Sequence, residues 1–136
     1  MTLPIRLVTP PDIYAPPSYE HVAIAGDFAY VAGQVSKDQD GALVGAGDAA
    51  AQAAKVYDNI AAILRHIGAA PSQVVKITTY LVDANDSAAV GAERKKFFGD
   101  HRPPHTGLIV AALGGPEVKL EVELVIYLPQ EAATER

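Results

Sequence analysis

The chain has no cysteine. That removes disulfide staples, thiol nucleophiles and thiolate metal sites at once, and several enzyme classes with them. Long apolar runs are missing too. Nothing approaches the roughly 18 to 20 uninterrupted apolar residues of a membrane span, and Pro4, Pro10 and Pro11 cut the N-terminus before a signal-peptide core could form. A cytoplasmic location with no membrane partner is expected. Positive charge is scarce: 11 Lys and Arg stand against 16 Asp and Glu, a formal net charge of -5. The one local basic cluster is Arg94-Lys95-Lys96, which argues against broad nucleic-acid binding, because phosphate contacts need clustered cations.

Motifs that would announce a cofactor are also lacking. His21, His66, His101 and His105 show no HExxH or comparable spacing, so no metal is expected. Gly41, Gly45 and Gly47 precede a helix without the Lys-Ser/Thr of a phosphate loop or the strand context of a dinucleotide fingerprint. Ser18, Ser36, Ser72 and Ser87 lie in no nucleophile-elbow pattern. No repeat, low-complexity tract or linker divides the 136 residues, and 49% hydrophobic with 20% charged is an ordinary globular composition. One domain spanning 1–136 is expected, with a proline-rich arm at 1–18 lying on the surface and a polar tail at 130–136.

What is present is clear alternation near the C-terminus. From 118 to 128, Val118, Leu120, Val122, Leu124, Ile126 and Leu128 share one face, while Lys119, Glu121, Glu123, Val125 and Tyr127 share the other. This is a strand with one wholly apolar face, its two glutamates roughly 7 Å apart on the opposite side. Earlier, strands at 20–25 and 28–35 are joined by Gly26-Asp27, which suits a two-residue hairpin. Gly33 inside the second marks a bulge or a close approach to the backbone. A short third strand is expected at 42–44.

Asp48 caps a helix running to about Ile67 and ended by Gly68, with Val56, Ile60, Ile63, Leu64 and Ile67 as its buried stripe. A β-branched strand follows at 74–82. Asp86 or Ser87 then caps a shorter helix to Phe98, with Val90, Phe97, Phe98 and the stem of Arg94 inward. A strand at 108–113 is apolar on both faces, as is 74–82, which favours burial of both. The order β-β-(β)-α-β-α-β-β gives an α+β domain, a mixed sheet with two helices on one face. The uncovered face implies a homo-oligomer closed through the sheets.

A small polar set remains. Arg102 and His105 flank a rigid proline pair, which could hold an anion-binding or proton-transferring group at little entropic cost. The same pattern fits a solvated loop. Glu121 would orient a water or an imine nitrogen if buried at an interface, or would simply face solvent. Tyr19, at the entrance to the first of these strands, covers an apolar pocket or packs there.

In order and spacing, several segments together resemble the RidA family, also called YjgF. They are Tyr19, Val31-Ala32-Gly33-Gln34-Val35, the helix with Asn59 and Leu64, Val74-Val75-Lys76-Ile77-Thr78-Thr79-Tyr80-Leu81, Asn85-Asp86, Phe97-Phe98, Arg102-Pro103-Pro104-His105-Thr106 and Leu120-Glu121-Val122-Glu123. The likeness covers nearly all of the chain after the arm. It implies a chorismate-mutase-like α+β subunit in a homotrimer with small-molecule sites in the clefts between subunits. It also implies hydrolysis of reactive enamines and imines, such as those released from serine or threonine by pyridoxal enzymes, to 2-keto acids and ammonia.

In active members of the family, an arginine after a proline, in the loop before the penultimate strand, holds the substrate carboxylate. Here His105 stands at that position, and an imidazole offers no bidentate fork. Arg102, three residues away, could reach the same carboxylate. Ala32 replaces the usual small hydroxyl residue, and Gly107 stands where cysteine is frequent, while Tyr19 and Glu121 match family site positions. The resemblance thus implies a catalytic pair, His105 and Glu121, and a substrate-binding set of Tyr19, Arg102, Ala32, Gly33 and Gly107. The substrate would differ from that of arginine-containing members. A non-catalytic small-molecule-binding trimer is the alternative. Ribonuclease activity, also linked to the family, comes third, since the acidic chain offers no RNA surface.

Overall fold

The last strand sits in the middle of the sheet. The structure, a computed structural model, describes residues 4–130. The strands are β1 (Ile5–Val8), β2 (Val22–Ala25), β3 (Phe28–Gln34), β4 (Val74–Leu81), β5 (His105–Ile109) and β6 (Leu120–Tyr127). The helices are α1 (Ala49–Ile67) and α2 (Ser87–Phe98). Sheet order is β1-β2-β3-β6-β4-β5. Every pair is antiparallel except β4 with β5, which are parallel and joined through α2. Leu120, Val122, Leu124 and Ile126 of β6 are buried under the helices, while Glu121, Glu123 and Val125 are half-buried on the open face. The mixed sheet with two helices is the α+β architecture expected.

Capping chemistry sets the ends of α1. The Asp48 side chain accepts from the Ala51 N–H at 3.0 Å, and Gly68 closes the helix at φ 76°, a left-handed conformation that costs a glycine little. Between the caps, Val56, Ile60, Ile63 and Leu64 are buried and Ile67 packs at the margin. Two polar residues, Gln52 and Asn59, share that inward face because seven residues are about two helical turns. Asn59 donates to the carbonyls of Val35 and Lys37 at 3.3 and 3.0 Å. Gln52 donates to Gly45 and Glu117 at 3.2 and 3.0 Å and accepts from the Lys119 N–H at 2.9 Å. The helix therefore fixes the loop that feeds β6.

In α2, Val90 and Phe98 are buried, and Phe97 stacks on Tyr57 of α1 with ring centroids 5.0 Å apart.

Four local expectations change. Segment 42–44 forms no strand; a single bridge, Lys37 with Leu43, is all that pairs there. The strand expected at 108–113 begins earlier and ends at Ile109, and both its faces are exposed within one chain, with Leu108 44% and Ile109 55% accessible. Apolar residues on both faces reflect its position as an outer strand with one free edge. Asp86 makes no side-chain capping bond to α2; its carboxylate lies 3.8 Å from the Lys119 ammonium instead. Within the proline-rich arm, Ile5–Val8 pairs with β2 as an edge strand, since it falls between Pro4 and Pro10 and so keeps its four backbone donors. The tail beyond Gln130 lies outside the described residues.

Replacing Gln52 with alanine strands two carbonyls and one N–H at the mouth of β6, a loss on the order of 2 kcal/mol or more. Urea unfolding of Gln52→Ala against the parent chain is expected to show it. A change near zero would mean that these loops are held by other contacts.

Candidate functional site

At the outer edge of the sheet, β5 lies beside α2. His105 pairs in register with Ile77 and so points to the helix side. Its Nε2 lies 3.0 Å from the buried Thr79 hydroxyl and 3.3 Å from Nη1 of Arg94 on α2. A guanidinium only donates, so Nε2 accepts, and the ring is neutral with its hydrogen on Nδ1. Burial, then the positive charges of Arg94 and Lys76, hold the imidazole pKa below 6.5. Gly107 lies close beside it: a Cβ there would stand 3.3 Å from the His105 ring, which would have to give by a few tenths of an ångström.

Arg94, His105 and Arg102 line a cleft of about 420 Å³ between α2 and the 99–105 loop. That loop is anchored by His101, whose Nε2 donates to the Val74 carbonyl at 2.8 Å.

The second cluster lies on the open face. Glu121 pairs with Tyr80, Glu123 with Thr78, and the Tyr80 hydroxyl donates to Glu123. The register of β3 on β6 shifts between Val31 and Gln34, which bulges Ala32 and Gly33. The Glu121 carboxyl fills the space beside Gly33, where a Cβ would lie 2.0 Å from Oε2. Glycine is needed there for room; its backbone dihedral is ordinary. Burial, then the charge of Glu123, raises the Glu121 pKa above its usual 4.5.

Tyr19, about half exposed, meets His21 edge-on with ring centroids 5.9 Å apart and lines a small cleft with Gly33. His21 is buried, its Nε2 donating to the Tyr14 carbonyl at 2.8 Å while Nδ1 accepts from Gln34 at 2.9 Å. The imidazole thus ties the arm to β3.

The structure therefore groups the sequence-derived residues in two. His105, Gly107 and Arg102 sit at the β5 edge; Tyr19, Ala32, Gly33 and Glu121 sit around the β3 bulge. Within one chain His105 and Glu121 are on opposite faces of the sheet and do not meet. Arg94, Thr79 and Lys76 are not among the site residues expected from the sequence. One signal for Arg94 was available: it falls four residues after Val90 and four before Phe98, on the inward stripe of α2, an unusual place for a guanidinium.

A family model described as Endoribonuclease L-PSP matches residues 11–128. The chain belongs to this family, the RidA (YjgF) family. A RutC family protein of Pyrococcus abyssi is 35% identical over 109 residues, covering 80% of this chain and 85% of the relative. A 2-iminobutanoate/2-iminopropanoate deaminase of Salmonella typhimurium is 31% identical over 102 residues, covering 74% and 79%. RidA from the Antarctic bacterium Psychrobacter superposes with a TM-score of 0.80 at 27% identity, over 90% of this chain and 98% of that one. Escherichia coli TdcF with bound serine gives 0.78 at 27%, over 89% and 96%. RidA membership bears out the fold and family expected from the sequence.

In an NMR titration the His105 ring is expected to titrate below 6.5, and Arg94→Met to move its midpoint upward by removing one of the charges that oppose protonation. Because this depression makes the unfolded chain the better proton binder, His105 reduces stability as pH falls below 6.5 and is silent above it. An unchanged midpoint in Arg94→Met would show that Arg94 does not face the ring.

Proposed function

We propose that the protein hydrolyses a small reactive imine, or its enamine tautomer, in a cytoplasmic homotrimer whose pockets close between subunits. The observation that carries this reading is Glu121. It is a half-buried carboxyl, seated where only glycine leaves room, with a pKa pushed upward. Such a group exchanges protons near neutrality more readily than a solvated glutamate. Its carboxylate takes a proton from water as the water oxygen bonds to the imine carbon. It passes that proton to the imine nitrogen, giving a carbinolamine, then takes the hydroxyl proton and delivers it to the amine as the carbon–nitrogen bond breaks. The nitrogen collects both water protons and leaves as ammonia, and the carbon becomes a carbonyl.

His105 enters as a neutral ring whose Nδ1–H is free to donate to a ligand oxygen, since Nε2 is already occupied. Gly33 and Ala32 give the substrate access to the backbone, and Tyr19 covers that end. Assembly is supported by the open sheet face, which presents Phe28, Tyr30, Leu108 and Tyr127 to solvent in a single chain. Contact between the open face of one protomer and the β5 edge of the next would bring Glu121 to His105 and Arg102. The deaminase names among the relatives agree with this chemistry. The substrate differs from that of arginine-containing members because position 105 offers an imidazole.

The engaged Nε2 of His105 favours one second reading, a trimer that binds a small molecule without turning it over. A ribonuclease finds no support in a net charge of -5.

Imines generated in situ by an amino-acid oxidase or a pyridoxal-dependent dehydratase should yield keto product and ammonia faster with the protein than in buffer. Glu121→Gln should lower that rate by about 100-fold or more. Gly33→Ala should do nearly as much, because a Cβ there would lie 2.0, 2.5 and 2.7 Å from Oε2, Cδ and Cγ of Glu121 and the whole side chain would have to turn away. Absence of acceleration across a broad imine panel, together with saturable ligand binding, would select the binding reading.

A further inference from the structure

We infer that the cleft between α2 and β5 is an oxyanion-binding site in which Arg94 holds the ligand and His105 aims the guanidinium. Among the described residues, Arg94 has no carboxylate partner; the ion pairs are Lys96 with Glu93 and Lys119 with Asp86. Its one hydrogen-bond contact is Nη1 with the neutral His105 ring, which takes up one donor and leaves the rest of the fork free. Arg94 is half-buried as a residue, and its spare guanidinium donors suit a charge-assisted, bidentate contact with an anion.

The surroundings suit an anion. Lys95 and Arg102 line the same 420 Å³ cleft, no acidic residue does, and Phe98 supplies an apolar wall. Gly91 lines the cleft beside the guanidinium, its missing Cβ position lying 3.6 Å from Nη2, ordinary contact distance. The volume accepts a small organic acid whole rather than a bare ion. Ligand chemistry is therefore a carboxylate or phosphate on a small molecule, with Arg94 in the first role and Arg102, more exposed on its loop, contributing long-range attraction. Through Nε2 His105 positions the Arg94 guanidinium, while its Nδ1–H stays free for the ligand.

This inference names the anion-holding group of the site proposed above and takes its biological meaning from that reading. Its test is binding, which can fail independently of turnover. Pyruvate and inorganic phosphate, titrated calorimetrically into the intact protein, represent the two sources of the anion. Binding of pyruvate but not phosphate would assign a carboxylate, and the reverse a phosphate ester.

Arg94→Gln is expected to weaken the preferred anion at least tenfold and Arg102→Gln less than threefold. His105→Leu should weaken it as Arg94→Gln does, whereas His105→Gln, which keeps an acceptor for the guanidinium, should restore binding to within a fewfold. The Arg94 Nε–H resonance should shift on titration. If Arg94→Gln melts early, Arg94→Lys keeps charge and stem without the fork, and severalfold weaker binding is again expected.

Unchanged binding in either Arg94 variant, loss in Arg102→Gln alone, or no anion binding at millimolar concentration would overturn the inference. Pyruvate binding through Arg94 without imine hydrolysis would keep it and remove the deaminase reading. Imine turnover indifferent to Arg94→Gln would do the opposite.

Discussion

The two-residue period of β6 constrains everything else in the molecule. Four of its side chains, Leu120, Val122, Leu124 and Ile126, are dry against α1 and the sheet core, at roughly 1.5 to 3 kcal/mol for each fully buried side chain. A one-residue slip would expose all four and bury Glu121, Glu123 and Tyr127 in their place. The glutamates thus stay on the open face because the opposite face is apolar. Gln52 adds a second lock by gripping the backbone on both sides of Val118, so the register is fixed before the strand begins.

Fixed glutamates still need room. The bulge in β3 brings Gly33 under Glu121, and the carboxyl settles where a side chain would stand. Burial and the neighbouring Glu123 then disfavour its ionised form. A group in this condition costs stability at neutral pH: its raised pKa makes the native state the tighter proton binder, so stability is greatest below the unfolded value and declines as pH rises through the folded one. Retaining such a group in mid-sheet is a common mark of a working site. At the sheet edge, the His105 pKa is pushed the opposite way, downward, by burial and then by the charges of Arg94 and Lys76, so both groups favour their neutral forms. The carboxyl is held toward its protonated form and the imidazole toward its free base.

Much of this was readable from the residues. Alternation revealed β6 and its two faces, Asp48 and Gly68 delimited α1, and Gly33 stood out as a glycine inside a strand. The rest depends on tertiary position. Leu108 and Ile109 read as buried because they are apolar, yet β5 lies at the edge of the sheet, where a single chain leaves them exposed. Ile5–Val8 was hidden between prolines, and four residues carry too little periodicity to declare a strand. Arg94 read as a helix side chain with a useful stem; only the parallel pairing of β4 and β5 brings His105 under α2 and gives its charge a neighbour. Likewise, no sequence pattern could show that His105 and Glu121 occupy opposite faces of one sheet.

That separation makes the account depend on a second subunit. The most direct measurement is a crystal structure of the protein grown with pyruvate. The account predicts a trimer with pyruvate bound between Glu121 of one protomer and the His105 and Arg94 cleft of the next. A monomer, or pyruvate held wholly within one chain with Glu121 open to solvent, would contradict it.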